Sequence, residues 1–244
     1  MLKNYEIHDD ELGIIKVIYN QRARRITFKG KNGGITATIP SHYNITQVRE
    51  IIAKHRTRLV KLLSNSIIRK EKTSLTDGKE IKTPEGRLLI TANPNVGRGN
   101  IHTQKEENLI IFKYNPADSE QESFQQAFAR HIIRTLTKYY SHILLEMVAT
   151  IAKECCIQPC EVRIGRGQRT LGHCSRHGII TISAFVLFLP THLRRYIICH
   201  ELAHLTHFNH SHNFHALCNE YCQGNEKIWA KELQKFTFPI SQKD

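Results

Sequence analysis

His200-Glu201-Leu202-Ala203-His204, running on through Leu205-Thr206-His207-Phe208-Asn209-His210, decides how this chain is read. It is H-E-x-x-H with a third histidine six residues past the second. On a helix, residues four apart share a face one turn apart, so His200 and His204 can grip one metal ion. Glu201, about 100° further round the helix, is badly placed as a third ligand beside them but well placed to reach a water on the metal. Zinc held by three protein ligands keeps a fourth position open for water and lowers that water's pKa to about 7. A neighbouring carboxylate can take the proton as attack begins. The pattern points to a zinc hydrolase, most often a peptidase.

The bland alternative is a helix with two histidines on a half-buried face. The surroundings oppose it. Leu193, Ile197, Ile198, Leu202, Ala203 and Leu205 cover more than one side of the helix, as in a buried helix. Two histidines and a glutamate there need partners, and a metal satisfies all three. Thr191 is the expected cap, after Pro190 ends the preceding strand. Four residues compete as third ligand: His207, His210, His215 and Glu220. A continuing helix would point His207 past the metal. Asn209 can adopt the left-handed conformation that ends helices, which would turn the chain at 207–209 and return His210 to the metal. Ser211 then caps a second helix with Phe214, Leu217, Cys218, Tyr221 and Cys222 on one face. Glu220 on that helix would suit a His-His-Glu site.

Several segments together resemble the YgjP-like metallopeptidase domain, a family of metal-dependent hydrolases, and are similar to the SprT-like peptidases. They are His200-Glu-Leu-Ala-His-Leu, Asn209-His210-Ser211 with Phe214, Arg169 to Ser175, Ile180 to Pro190, and Arg22 to Pro40. The resemblance spans roughly residues 14–235. It implies a zincin-like fold, zinc on His200, His204 and His210, and Glu201 as general base. Three positions depart from the family: Leu171 replaces Trp, His173 replaces Ser, and His215 replaces the usual Trp. They bear on substrate contacts rather than on the metal. The histidine spacing also equals that of metzincins, which have Gly where this chain has His207. That is a similar local solution rather than kinship.

A length of 244 residues allows one large or two small domains, and no run of 18 apolar residues suggests a membrane span. The polar, acidic start from Met1 to Glu11 lacks a signal-peptide pattern. Seven cysteines without paired C-x-x-C motifs read as reduced, partly buried thiols, so a cytoplasmic location is expected. The net charge is +13, concentrated over residues 16–72, where fourteen Lys and Arg face only Glu50 and Glu71, a net of +12. Such a field favours polyanions, nucleic acid among them; the plainer reading is a solvated basic helix face.

From the N-terminus, a three-stranded meander is expected over Ile14–Tyr19, Arg25–Lys29 and Gly34–Ile39, with Asn32-Gly33 as a hairpin turn. A helix over 47–70 capped by Thr46 follows. Strands near 79–83, 87–92 and 109–114 surround a polar loop over 93–108. Ser119-x-x-Glu122 reads as a capping box opening a long helix through Phe124, Phe128, Ile132, Leu136, Tyr139, Ile143, Met147 and Ile151. Strands over 160–164, 170–175 and 179–183 lead to the histidine helix. No internal repeat is visible. By resemblance, strand 169–175 is the edge on which an extended substrate would add.

These readings predict an α+β fold: a β-rich N-terminal region over 1–117 with one basic helix, then a zincin-like domain over 118–244 with the H-E-x-x-H helix. The expected activity is hydrolysis of peptide bonds in a protein or peptide substrate, with one zinc per chain. His173, Arg169 and Tyr196 are candidates to contact substrate or the oxyanion. Two rival readings are a protease acting on DNA-bound proteins, implied by the SprT-like similarity, and a zinc-stabilised binding module without turnover. Glu201 argues against the last, because a structural site needs no base.

Overall fold

The structure, a computed structural model, describes residues 4–31 and 33–242. The chain divides into two compact units, residues 1–74 and 75–244. The first holds β1 (Tyr5–Asp9), β2 (Gly13–Tyr19), β3 (Thr27–Lys31) and β4 (Gly34–Ile39) in the order β1-β2-β4-β3. It is not the expected meander. β2 and β4 lie side by side and parallel, with Ile15 opposite Ile35 and Val17 opposite Ala37. They alternate apolar residues inward, with Ile15, Val17, Ile35, Ala37 and Ile39 all buried, so they take the middle of the sheet. The polar β3 sequence Thr-Phe-Lys-Gly-Lys is left at the edge. Gly33 of the expected hairpin turn has a φ of 75°, while Asn32 lies outside the described residues.

The expected helix over 47–70 is two helices, α1 (Ile45–Lys54) and α2 (Arg56–Thr73), parted at His55. Asn44, not Thr46, caps α1: its side chain accepts from the Gln47 N–H while the Gln47 side chain accepts from the Asn44 N–H. Arg56 opens α2 and pairs with Asp9 at 2.6 Å and Glu11 at 2.8 Å.

The second unit starts with β5 (Glu80–Thr83), β6 (Gly86–Ala92), β7 (Ile101–Lys105) and β8 (Leu109–Tyr114) in the order β5-β6-β8-β7, with β6 and β8 parallel. This repeats the strand order of the first sheet, again followed by a helix, without a matching residue pattern. β7 falls inside the expected loop 93–108. Only Ile101 of its five residues is apolar, so this exposed edge strand carries no alternation to read. The division expected at 117/118 does not coincide with the compact units. Ile81, Leu88, Ile90 and Phe112 of this sheet share one core with Phe128, Ile132 and Leu136 of the next helix, which ties the sheet to everything after it.

That helix, α3 (Glu122–Glu154), runs 33 residues without Gly or Pro. Ser119 does not cap it: a 3-10 turn over Pro116–Asp118 precedes it, and Gln121 stands at the N-cap without a side-chain bond. β9 (Glu161–Gly165), β10 (Gly172–Cys174) and β11 (Ile179–Ser183) form a small sheet with β11 central, parallel to β9 and antiparallel to the edge strand β10. β11 passes through a wholly buried 3-10 turn, Ala184–Phe188, into α4 (Thr191–Ala203). α5 (His212–Tyr221) and α6 (Glu226–Lys235) pack on α4. Thr191 is the first helical residue of α4 rather than its cap, and Pro190 stands at the N-cap. Among the described residues no helix is long and apolar enough to cross a membrane. All seven cysteines are free thiols.

Candidate metal centre

α4 is buried on nearly every side. Leu193, Ile197, Ile198, Cys199, Leu202 and Ala203 enter the core, as their spacing predicts. Arg194 is buried too, at 1 % exposure. A buried guanidinium needs a full set of acceptors. Here the Leu187 and Leu189 carbonyls accept from it, and Glu85, in the turn between β5 and β6, makes a bidentate pair with it. The N-terminal half of the helix is thereby fixed to the β5–β8 sheet.

At its C-terminal end α4 carries His200 and Glu201, and His204 follows as the C-cap. The His204 N–H still donates to the His200 carbonyl at 3.3 Å, so the two imidazoles keep one-turn spacing, ring centres 4.9 Å apart. The helix then stops at once. His207 N–H donates to the Ala203 carbonyl, and Ser211 opens α5 by accepting from the Phe214 N–H at 3.4 Å. Asn209 is not left-handed; the turn starts at His204 and is built from backbone bonds at Leu205, Thr206 and His207. It returns His210 to the helix, with its Nε2 3.1 Å from that of His200.

His200, His204 and His210 each offer a ring nitrogen within 4.8 Å of the other two. Phe214, fully buried on α5, lies beneath all three. It stacks on His204 at 4.4 Å and meets His200 and His210 edge-on at 4.9 and 4.8 Å. His204 Nδ1 lies 2.9 Å from the His207 carbonyl oxygen, which can only accept, so Nδ1 carries the proton and Nε2 keeps its lone pair. Burial, reinforced by the neighbouring imidazoles, pushes the His200 pKa down to about 4. Burial also lowers that of His204, against the opposing pull of the His207 carbonyl. At neutral pH these two rings are uncharged and can donate electron pairs.

The other third-ligand candidates stand outside this group. The nearest role of His207 is its carbonyl. His215 Nδ1 pairs at 2.7 Å with the buried Glu226 carboxylate at the start of α6, its ring 6.3 Å from that of His210. Glu220 is exposed on α5 and outside the histidine group.

Glu201 is buried at 6 % exposure, and burial raises its pKa to about 7. Among the described residues no hydrogen bond or ion pair holds its carboxylate, an unusual state for a buried acid. Tyr196, one turn before His200 with its ring 6.0 Å away, is buried and its pKa is pushed up to about 12, chiefly by burial. His173 is exposed on β10 and close enough to His204 to lower its pKa electrostatically. Arg169 lies exposed in the segment leading into β10.

Three imidazole nitrogens suit zinc and its transition-metal neighbours rather than magnesium or calcium, which require oxygen ligands. A tetrahedral zinc about 2.05 Å from two nitrogens would set them about 3.3 Å apart, close to the spacing of His200 and His210. The residues fit such an ion.

The YgjP-like metallopeptidase domain model matches residues 24–236. No curated protein matches the chain. A solved structure, that of the metallopeptidase zymogen abylysin of Pyrococcus abyssi, is 26 % identical over 37 % of this chain and 95 % of its own, with a TM-score of 0.31. With the family model covering most of its length, the chain belongs to the YgjP-like metallopeptidase family and is a metal-dependent peptidase.

Proposed function

We propose that this chain is a zinc peptidase holding one zinc on His200, His204 and His210, with Glu201 as general base. Zinc in that position would lower the pKa of a water and polarise the scissile carbonyl. Glu201 takes the proton of the attacking water and returns it to the departing amine. Its burial supports that role, since a carboxylate raised toward 7 can both accept and donate near neutral pH. His204 is kept in the ligating tautomer by the His207 carbonyl. His173 on β10 and Tyr196 on α4 are the donors proposed to meet the oxyanion, with Arg169 reaching from the approach to β10. A cytoplasmic setting is part of the same proposal, on the cysteine pattern of the sequence, seven residues without paired C-x-x-C motifs.

The observation that carries this reading is the convergence of three imidazoles within 4.8 Å beside a buried, unpaired carboxylate. The test is Glu201→Gln. It should keep the metal and lose hydrolysis of a dye-labelled denatured protein by at least about 10²–10⁴-fold. Activity within a few-fold of wild type would assign the base elsewhere.

A second reading concerns the first unit, proposed to meet a polyanion such as nucleic acid. Arg49, Lys54, Arg58, Lys61, Arg69, Lys70 and Lys72 are all exposed on α1 and α2. Binding to DNA or RNA that weakens steeply with salt would support it.

A further inference from the structure

Glu201 is buried and no protein group hydrogen-bonds its carboxylate, so what the side chain packs against helps to decide where it stands. What it packs against is the backbone of β10. A methyl group placed on Gly172 would sit 2.6 Å from Glu201 Cγ and 2.7 Å from Cδ, far inside van der Waals contact. The atoms it would meet first are all in the Glu201 side chain. Nor is β10 free to retreat. Gly172 pairs with Ile182 and His173 with Thr181 on β11, and the Ser183 N–H donates to the Leu171 carbonyl at 2.8 Å. β11 in turn runs through the buried 184–188 turn into α4 itself. Strand and helix are thus tied together, and a Cβ at 172 would be accommodated by a shift of the Glu201 side chain from its present place.

We propose that Gly172 is a positioning residue, whose bare Cα on β10 forms the wall that aims the Glu201 carboxylate. The role rests on the reading of Glu201 as base. An added methyl meets the Glu201 side chain before anything else, so it is the carboxylate rather than the three imidazoles that it displaces first. Misplacing a reacting group by about 1 Å can cost on the order of 10²-fold in rate.

Gly172→Ala, Glu201→Gln, Glu201→Ala and the double variant Gly172→Ala/Glu201→Ala separate the possibilities. For Gly172→Ala we expect unchanged metal content, KM within about three-fold of wild type on a dye-labelled denatured protein, and kcat lower by roughly 10–10². Its thermal midpoint should fall, whereas the same substitution in the Glu201→Ala background should cost nothing, because the space is then vacant. If Gly172→Ala fails to fold, folding of the double variant supports the same contact. An unchanged kcat, an equal loss of midpoint in both backgrounds, or failure of both variants to fold would overturn the proposal. If Glu201→Gln is inactive while Gly172→Ala keeps full kcat, the positioning role falls and the base stands. If Glu201→Gln stays active, the base falls and with it the catalytic meaning of the contact.

Discussion

His200 Nε2 and His210 Nε2 stand 3.1 Å apart, though they lie ten positions apart in the chain and only one belongs to a helix. Two neutral imidazoles can share that distance through one proton, but His204 also directs a lone pair into the same space. A cation satisfies all three at once. The turn at 204–210 makes this possible, and it depends on the His207 carbonyl rather than on the His207 ring. His207→Ala should therefore keep metal affinity within a few-fold of wild type, checked by competition with a chromophoric chelator. Loss of the metal would make the His207 imidazole itself a ligand.

The pair of Arg194 and Glu85 should be a main support of α4. Their side chains are 2 % and 8 % exposed. Glu85→Ala strands a buried guanidinium, and such losses cost about 3–5 kcal/mol. The retained bonds to the Leu187 and Leu189 carbonyls place this case at the lower end. Urea unfolding of the metal-free protein measures it, and a change under about 0.5 kcal/mol, the range of ordinary surface substitutions, would refute it.

In the metal-free chain Glu201 should make stability fall as pH rises. Its folded pKa of about 7 lies above the ordinary 4.5, so between these values the folded chain keeps a proton that the unfolded chain releases. The contribution is fully present below about 4.5 and lost as pH rises through about 7, a swing on the order of 3 kcal/mol. His200, with its pKa lowered to about 4, pulls the other way between 4 and 6.5, and comparison with Glu201→Gln cancels that effect. The thermal midpoint of Glu201→Gln should overtake wild type progressively from pH 4.5 to 8. Parallel profiles would show that burial does not govern this carboxylate.

On the first unit, Arg58→Glu with Lys61→Glu should weaken any nucleic-acid binding and reduce the log–log salt slope by roughly 0.7–0.9 for each phosphate no longer neutralised. Arg56 is unsuited to this test, because Asp9 and Glu11 already hold it. Absence of binding by wild type at low salt would leave the basic face merely solvated.

What can be read from the sequence is whatever depends on local spacing. The apolar coat of α4, the cap at Ser211 and the inward faces of β2 and β4 follow from residues a few positions apart. The parallel pairing of β2 with β4 does not, since strand order depends on which strands compete for the centre of a sheet. Arg194 announces by its apolar neighbours that it needs a partner, yet Glu85 lies 109 residues away and nothing local points to it. Gly172 reads as an ordinary strand glycine, because its meaning is the space it leaves for a residue of another element. Caps expected at Thr46, Ser119 and Thr191 fail where a neighbouring residue or a 3-10 turn reaches the helix start first.

The identity of the third ligand is tested most directly by metal content after dialysis against a moderate chelator. Wild type, His210→Ala and Glu220→Ala are compared by elemental analysis. We predict about one zinc per chain in wild type and in Glu220→Ala, and loss of zinc from His210→Ala, where two imidazoles alone remain. Zinc retained by His210→Ala and lost from Glu220→Ala would contradict the histidine triad and place the closing ligand on α5.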